Sequence, residues 1–377
     1  MRFKLAAAAV LVAFAGTAYA QSSVTLYGIL DTGFLYQRAN ASNFQSKVNL
    51  GHVYELKDGG IYSSIWGLKG TEDIGGGYKV NFKLQGSFNT PTGKVGLADT
   101  PTAVAMFNQQ TTVGVSSPYG SIDLGRQIVP MIYAMADTDV RNAQYFGSIL
   151  TAWLGLNQAA GWPGTSTNGS IGALYDDNAI VYQSPKFYGV SFALEYAPGG
   201  VAGQFQGGTR ESAVLKYSNY GLNLAAVYYN GDDTNPFAPN GAVTPATGSN
   251  NNRFWYVGAQ YTFYDVSVST SYSIGKNPAK SSQNSFEMIS AGLGYQFTPF
   301  FKVTSGFYYL RDRNFSSNQS NLFAVGAEYS LSKTTRAYAQ VGYVNNRGNM
   351  SQTIIYGAPV PEGTSSTAAM IGIRHAF

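Results

Sequence analysis

The stretch 254–275, FWYVGAQYTFYDVSVSTSYSIG, alternates apolar and polar side chains on both sides of the dipeptide Tyr264-Asp265. Before it, Trp255, Val257, Ala259, Tyr261 and Phe263 share one face, and Tyr256, Gly258, Gln260 and Thr262 share the other. Beyond it, Val266, Val268, Thr270, Tyr272 and Ile274 oppose Ser267, Ser269, Ser271 and Ser273. A period of two is the signature of a strand, and a two-residue connection joins antiparallel neighbours. The pair therefore reads as a hairpin with one dry face and one wet face. Val190, Phe192, Leu194 and Tyr196 against Ser191, Ala193 and Glu195 repeat the pattern. So do Tyr78, Val80, Phe82, Leu84 and Phe88 against Lys79, Asn81, Lys83, Gln85 and Ser87.

Extending this outward predicts about sixteen strands, a number that leaves an aqueous channel when a barrel closes. The spans are near 23–36, 61–72, 78–89, 108–117, 120–128, 176–185, 188–198, 211–218, 222–231, 253–264, 266–275, 286–297, 300–311, 321–331, 335–345 and 368–377. A soluble β-sandwich also alternates, so the connections must decide. Tight turns such as 72–77, Pro118-Tyr119-Gly120, Ser218-Asn219-Tyr220-Gly221 and Thr298-Pro299-Phe300 interchange with long polar stretches at 37–52, 90–107, 199–210, 232–252, 276–285 and 346–367. Short turns on one rim and long loops on the other are the layout of an outer-membrane barrel. Phe187, Tyr188, Tyr220, Phe263, Tyr264, Phe297, Phe300 and Phe301 beside the tight turns fit an aromatic girdle.

Composition agrees. Charged residues are only 12% and aromatics 14% of the 377 residues, as expected of a surface divided between lipid and water. Cysteine is absent, so no disulfide stabilises the chain. No stretch after Ala20 has the roughly 18 consecutive apolar residues of a membrane helix. Residues 1–20 carry Arg2 and Lys4 before an apolar run ending in Ala18-Tyr19-Ala20, which reads as a secretory signal cleaved after Ala20. Residues 21–377 then form a single outer-membrane barrel domain, exported through the secretory pathway. Of the 24 basic residues two leave with the signal, so 22 stand against 20 acidic ones, a net +2. That balance excludes a nucleic-acid partner.

One stretch breaks the alternation. Residues 129–175, VPMIYAMADTDVRNAQYFGSILTAWLGLNQAAGWPGTSTNGSIGALY, form the third long connection. Ile149, Leu150, Trp153, Leu154, Leu156 and Trp162 would be out of place on a solvated loop, so it is predicted to enter the barrel and narrow it.

The chain resembles the general diffusion porins of Gram-negative bacteria, and among them the β-proteobacterial, neisserial and Burkholderia-type branch. The residues that carry the likeness are Ser23-Val24-Thr25-Leu26-Tyr27-Gly28, Trp66-Gly67-Leu68-Lys69-Gly70-Thr71-Glu72-Asp73 with Gly75-Gly76-Gly77, Leu124-Gly125-Arg126-Gln127, the run 177–185 (DNAIVYQSP), Tyr329-Ser330-Leu331-Ser332-Lys333 and Gly372-Ile373-Arg374-His375-Ala376-Phe377. The resemblance implies a homotrimer embedded in outer-membrane lipid and lipopolysaccharide, a third loop folded into the lumen, and passive diffusion of ions and small hydrophilic solutes. It further implies that Phe377 is read by the barrel-assembly machinery.

Charges at the constriction set selectivity through the local field. On the loop the candidates are Asp137, Asp139 and Arg141. On the wall they are Asp31, Lys69, Lys79, Lys83, Glu195, Lys216, Glu328, Arg336 and Arg374. Arg126, at the strand-to-loop junction, ties either the loop or a neighbouring subunit. Related porins place arginines at positions corresponding to Ile65, Gln109 and Tyr175, and none of the three is charged here. Weak selectivity leaning to cations is the expectation.

Other chemistries find little support. Only His52 and His375 remain for a general base, and neither has a nucleophile beside it in sequence, so no catalytic centre and no cofactor are expected. Asp176-Asp177 and Asp232-Asp233 are adjacent acids without a calcium-loop pattern, so no metal site is predicted. The runner-up function is a porin selective for sugars or carboxylates, with Tyr133, Tyr145, Phe146, Trp153 and Trp162 stacking on sugar rings.

Overall fold

The computed structural model describes residues 23–44, 46–96, 105–159, 172, 174–232, 251–276 and 285–377. Strands β1 (Ser23–Gln37), β2 (Val53–Asp58), β3 (Ser64–Gly75), β4 (Tyr78–Phe88), β5 (Gln110–Ser117) and β6 (Gly120–Ile128) come first. Helices α1 (Pro130–Asp137) and α2 (Ile149–Ala159) follow. The remaining strands are β7 (Tyr175–Gln183), β8 (Val190–Ala197), β9 (Arg210–Asn219), β10 (Leu222–Asp232), β11 (Asn251–Phe263), β12 (Val266–Lys276), β13 (Ser285–Thr298), β14 (Phe301–Asp312), β15 (Gln319–Ser330), β16 (Thr335–Arg347) and β17 (Ser365–Ala376).

From β3 onward each strand pairs antiparallel with the next, and β1 pairs with β17 from Ile29↔Ala376 to Gln37↔Ala368, so the sheet closes on itself. Closure removes every free edge, the only way a sheet can sit in lipid with its backbone satisfied. The structure corrects one part of the strand reading. Residues 53–58, taken as lying between the first loop and a second strand, are themselves a strand, and β2 and β3 pair successively with the two halves of β1. They are one membrane-crossing strand interrupted at 59–63, which leaves a barrel of sixteen staves.

The predicted parity holds. Trp255 is 53% exposed on the outer face, whereas its neighbour Tyr256 is buried inside. Phe187, Tyr188, Tyr220 and Tyr264 stand exposed at the short-turn rim, with Tyr188, Tyr220 and Tyr264 at positive φ. Gly75, Gly76 and Gly77 all have positive φ, which lets the β3–β4 connection turn without a Cβ clash. At the seam, the Phe377 ring crosses directly over Gly28, where any side chain would collide with it. Backbone hydrogen bonds Gly28 N to Phe377 O (3.1 Å) and Phe377 N to Gly28 O (3.0 Å) lock the terminus there.

The apolar core lies inside the barrel. Met131, Met135, Phe146, Ile149, Trp153 and Leu156 from the third connection pack with inward wall residues such as Tyr256, Met288, Tyr308 and Leu322. A water-filled lumen supplies the same hydrophobic driving force as bulk water, so each such side chain contributes roughly 1.5–3 kcal/mol on burial.

Candidate functional site

The third connection follows the inner wall because its local sequence builds two short helices. Pro130 starts α1, where a missing N–H costs nothing, after the extended Val129. Thr138 ends it, donating from Oγ1 to Ala134 O (2.9 Å) and meeting Tyr256 OH at 2.7 Å. Ser148 caps α2: its Oγ accepts from Leu150 N–H (3.1 Å), while Thr151 Oγ1 accepts from Ser148 N–H (3.0 Å).

Between the helices the chain is fastened to the wall by polar groups. Val140 N–H donates to Ser269 Oγ (3.1 Å), and Gln144 Nε2 donates to Glu328 Oε1 (2.7 Å). The Arg141 guanidinium, 0% exposed, donates to Gly147 O (2.5 Å), Phe146 O (2.7 Å), Thr304 O and Oγ1 (3.2 and 3.1 Å) and Gln340 Oε1 (2.5 Å). Asp139 accepts from Tyr308 OH (2.9 Å) and Ile149 N–H (3.0 Å). Burial pushes the Asp139 carboxyl above the ordinary carboxylate range, opposed by those hydrogen bonds and by the Arg141 charge. Asp139 and Arg141 are therefore structural ties and not charges facing the passage, as the sequence reading had them.

Two further segments hold the loop, and the sequence reading missed both. The 59–63 excursion turns inward, where Ile61 O accepts from Tyr145 N–H (2.9 Å), Tyr62 OH donates to Asn142 O (2.6 Å) and Ser63 Oγ meets Tyr145 OH at 3.0 Å. The last long loop also folds in, with Gly147 N–H donating to Ile354 O and Tyr356 N–H to Tyr145 O, both at 2.7 Å. Gly59-Gly60 between two strand patterns, and Ile354-Ile355-Tyr356 inside a polar loop, were the available signals.

Asp31 belongs to this scaffold. Its carboxylate, 0% exposed, accepts from the N–H groups of Gly60 (3.1 Å), Ile61 and Tyr62 (both 3.0 Å) and from Tyr338 OH (2.8 Å). It holds the excursion and does not line water, which corrects its assignment to the pore wall. Glu195 is corrected likewise: it is buried on β8, across from Ser212 and within electrostatic reach of Asp176 and Arg210. Asp176 meets Arg210 (3.2 Å), and Asp177 meets Arg126 (2.6 Å), so each of these adjacent acids has an arginine. Arg126 also donates to Asn108 O (2.7 Å) and lies 5.2 Å from the Tyr175 ring centre. It joins the strand entering the loop to the strand leaving it.

The charges left facing water are mostly cations. Lys69 and Lys83 are directly opposed on β3 and β4, with Nζ 5.3 and 5.9 Å from the Tyr27 ring centre. They border an open polar space of about 500 Å³ that also meets Gln110, Asp123, Gln127 and Tyr133 of α1. Arg374 lies over the Tyr62 ring (5.9 Å). Arg336 (3.4 Å) and Lys302 (3.0 Å) share Glu328, and Lys216 pairs with Asp137 on the loop at 2.9 Å. Lys79 is exposed near the short turns, in register with Asp73 and Ser116. Lys302 was missed, although its place between Phe301 and Val303 sets its inward parity.

Where relatives were expected to carry arginine, Gln109 instead joins a neutral ladder. Tyr27 OH donates to Gln85 Oε1 (2.9 Å), Gln85 Nε2 to Gln109 Oε1 (2.5 Å), and Gln109 Nε2 to Ser63 Oγ (2.9 Å). Of the loop aromatics offered for sugar stacking, Tyr145, Phe146 and Trp153 are buried against the wall, and Tyr133 remains 44% exposed. Trp162, Ala20 and Asp233 lie outside the described residues. Among the described residues no three acidic or histidine side chains gather, and no helix is long and apolar enough to cross a membrane.

Comparison with known proteins agrees with this geometry. A family described as Gram-negative porin matches residues 7–349. The chain is 29% identical to an outer membrane porin protein of Bordetella pertussis and 27% identical to outer membrane porin protein 32 of Delftia acidovorans, over the full length of both partners in each case. Among solved structures, an anion-selective porin from Comamonas acidovorans superposes with a TM-score of 0.74 at 24% identity, covering 94% of this chain and all of that one. A trimer form of OmpT from Vibrio cholerae gives 0.64 at 15% identity, covering 94% and 99%. A closed sixteen-stave barrel of the outer membrane, polar inside and apolar outside, is a passive channel for ions and small hydrophilic solutes, and the chain belongs to the Gram-negative porin family.

Proposed function

We propose that this channel is a homotrimeric general-diffusion pore with a modest preference for anions. The observation that carries the preference is the mismatch of charges on the arc from β17 to β4. Lys69, Lys83 and Arg374 form no ion pair among the described residues. Asp31, Asp139 and Glu195, counted among the acids of the passage from sequence, are withdrawn into the scaffold. In a narrow passage between low-dielectric walls such an excess of one sign concentrates the opposite ion. This reverses the lean to cations drawn from the missing arginines.

A planar-bilayer reversal potential across a KCl gradient tests the reading. Chloride is expected to carry most of the current, and Lys69→Gln with Lys83→Gln to move the potential towards zero. A cation-selective channel, or a double variant with unchanged potential, rejects it. Three equal conductance steps per insertion are expected of a trimer, a state supported by the described trimer of a structural neighbour. The outer apolar belt is suited to outer-membrane lipid and lipopolysaccharide. Phe377 at the seam is the natural signal for the assembly machinery, and N-terminal mass analysis of the mature protein checks cleavage after Ala20. The sugar-selective alternative is weakened by the burial of Tyr145, Phe146 and Trp153.

A further inference from the structure

The outer face of β8–β12 is not a uniform apolar belt. Ala213 and Ala226 are small outward residues set between Leu194, Leu215, Trp255 and Tyr272, and the hollow so formed holds about 460 Å³. In hydrocarbon a hollow of this size costs dispersion contacts unless something enters it. At its long-loop end the register places a basic pair. Trp255↔Ile274 is followed by Arg253↔Lys276, all four on the outward parity. Neither cation has an ion pair or hydrogen-bond partner among the described residues, and Arg253 Nε is shielded from water without one. The nearest outward carboxylate, Asp232, is in register with Asn251 one rung from Arg253, and it accepts from Asn230 Nδ2 (3.1 Å), Asn251 Nδ2 (3.0 Å) and Thr209 Oγ1 (3.3 Å) instead of pairing with the arginine. Glu211 stands two strands away, beyond Asn230. Glu287, opposite Ile274, is held by Arg311 (2.5 Å) and Arg313 (3.9 Å).

An apolar hollow in the membrane with two cations one rung above it that form no ion pair among the described residues, on the rim that faces outside, complements one kind of molecule. We propose that this face seats a phosphorylated, acylated glycolipid of the outer leaflet, with an acyl chain against Ala213 and Ala226 and a phosphate between Arg253 and Lys276. The proposal rests on the outer-membrane location and gives a place on the barrel to the lipopolysaccharide contact suggested above. Long basic side chains lay their stems on apolar surface and raise their charge to the interface, and Trp255 beside Tyr228 (4.3 Å between ring centres) marks that interface.

The test is native mass spectrometry of the full-length, detergent-solubilised oligomer with added diphosphoryl lipid A or its dephosphorylated form. Arg253→Gln with Lys276→Gln is expected to weaken diphosphoryl lipid A about tenfold or more and to leave the dephosphorylated form unchanged. Ala213→Leu with Ala226→Leu, which fills the hollow on a surface that tolerates apolar bulk, is expected to weaken both. Wild-type affinity in both variants overturns the proposal. So does dissociation of the oligomer by the leucine variant, because the face would then be a subunit contact. Conductance is expected to be unchanged in both, since neither touches the lumen. A wild-type protein that binds lipid A without conducting would reject the channel reading and leave the lipid seat standing.

Discussion

Asp31 shows how much one carboxylate can organise. It satisfies three consecutive backbone N–H groups and a tyrosine hydroxyl at the point where β2 gives way to β3. Removing it leaves those donors buried and unpaired, at about 1–3 kcal/mol each. Asp31→Ala is expected to lower the temperature at which the folded barrel loses its fast mobility in SDS. Asp31→Asn, which keeps an acceptor oxygen, should fall between; an Ala variant as heat-resistant as the wild type would show that the excursion holds itself. Gly28 is the other telling residue. Gly28→Leu puts a side chain where the Phe377 ring lies, and the terminal strand can then no longer seat. Folding into vesicles is expected to slow severalfold, or stop, and wild-type folding kinetics would contradict this.

The deciding element is the third connection. Its apolar helices supply the burial, and Arg141 supplies the placement, joining the loop's own backbone to β14 and β16. Truncating a buried charge-bonded side chain typically costs about 3–5 kcal/mol. Arg141→Ala is therefore expected to leave the barrel intact while the loop fluctuates, seen as frequent transient closures in single-channel records. Arg141→Lys keeps the charge but not the planar fork, and should give an intermediate trace. A quiet record at wild-type conductance in the Ala variant would shift the anchoring role to Thr138, Gln144 and the 354–356 segment. Such a segment was hard to foresee from sequence. Isoleucine and tyrosine in a polar loop mark something buried without saying against what.

At the scale of the molecule, inside and outside exchange their usual roles. Lipid covers the apolar face, water fills the middle, and the third connection brings a small soluble-type core into that water. Selectivity then depends on which charges remain wet. Screening gives a direct check: the Debye length falls from about 10 Å at 0.1 M to about 3 Å at 1 M. The anion preference is expected to shrink steeply over that range, and a salt-independent preference would point to a steric origin.

Strand number, parity and rim layout were legible in residues such as 254–275, because a barrel wall imposes its alternation locally and lipid tolerates no error in it. The Gly59-Gly60 break was the exception, since it looks like any turn until β1 is seen pairing with both sides of it. The passage itself was not legible. Asp31 and Glu195 lie on the inward parity just as Lys69 and Lys83 do, while Asp139 and Arg141 sit on the loop where no parity applies, and parity only says that a side chain points inward. Whether it meets water or the docked loop depends on contacts between segments a hundred or more residues apart, such as Asp139 with Tyr308 and Arg141 with Gln340. Local sequence sets the face of each residue, and tertiary packing alone decided which inward charges the passing ion will meet.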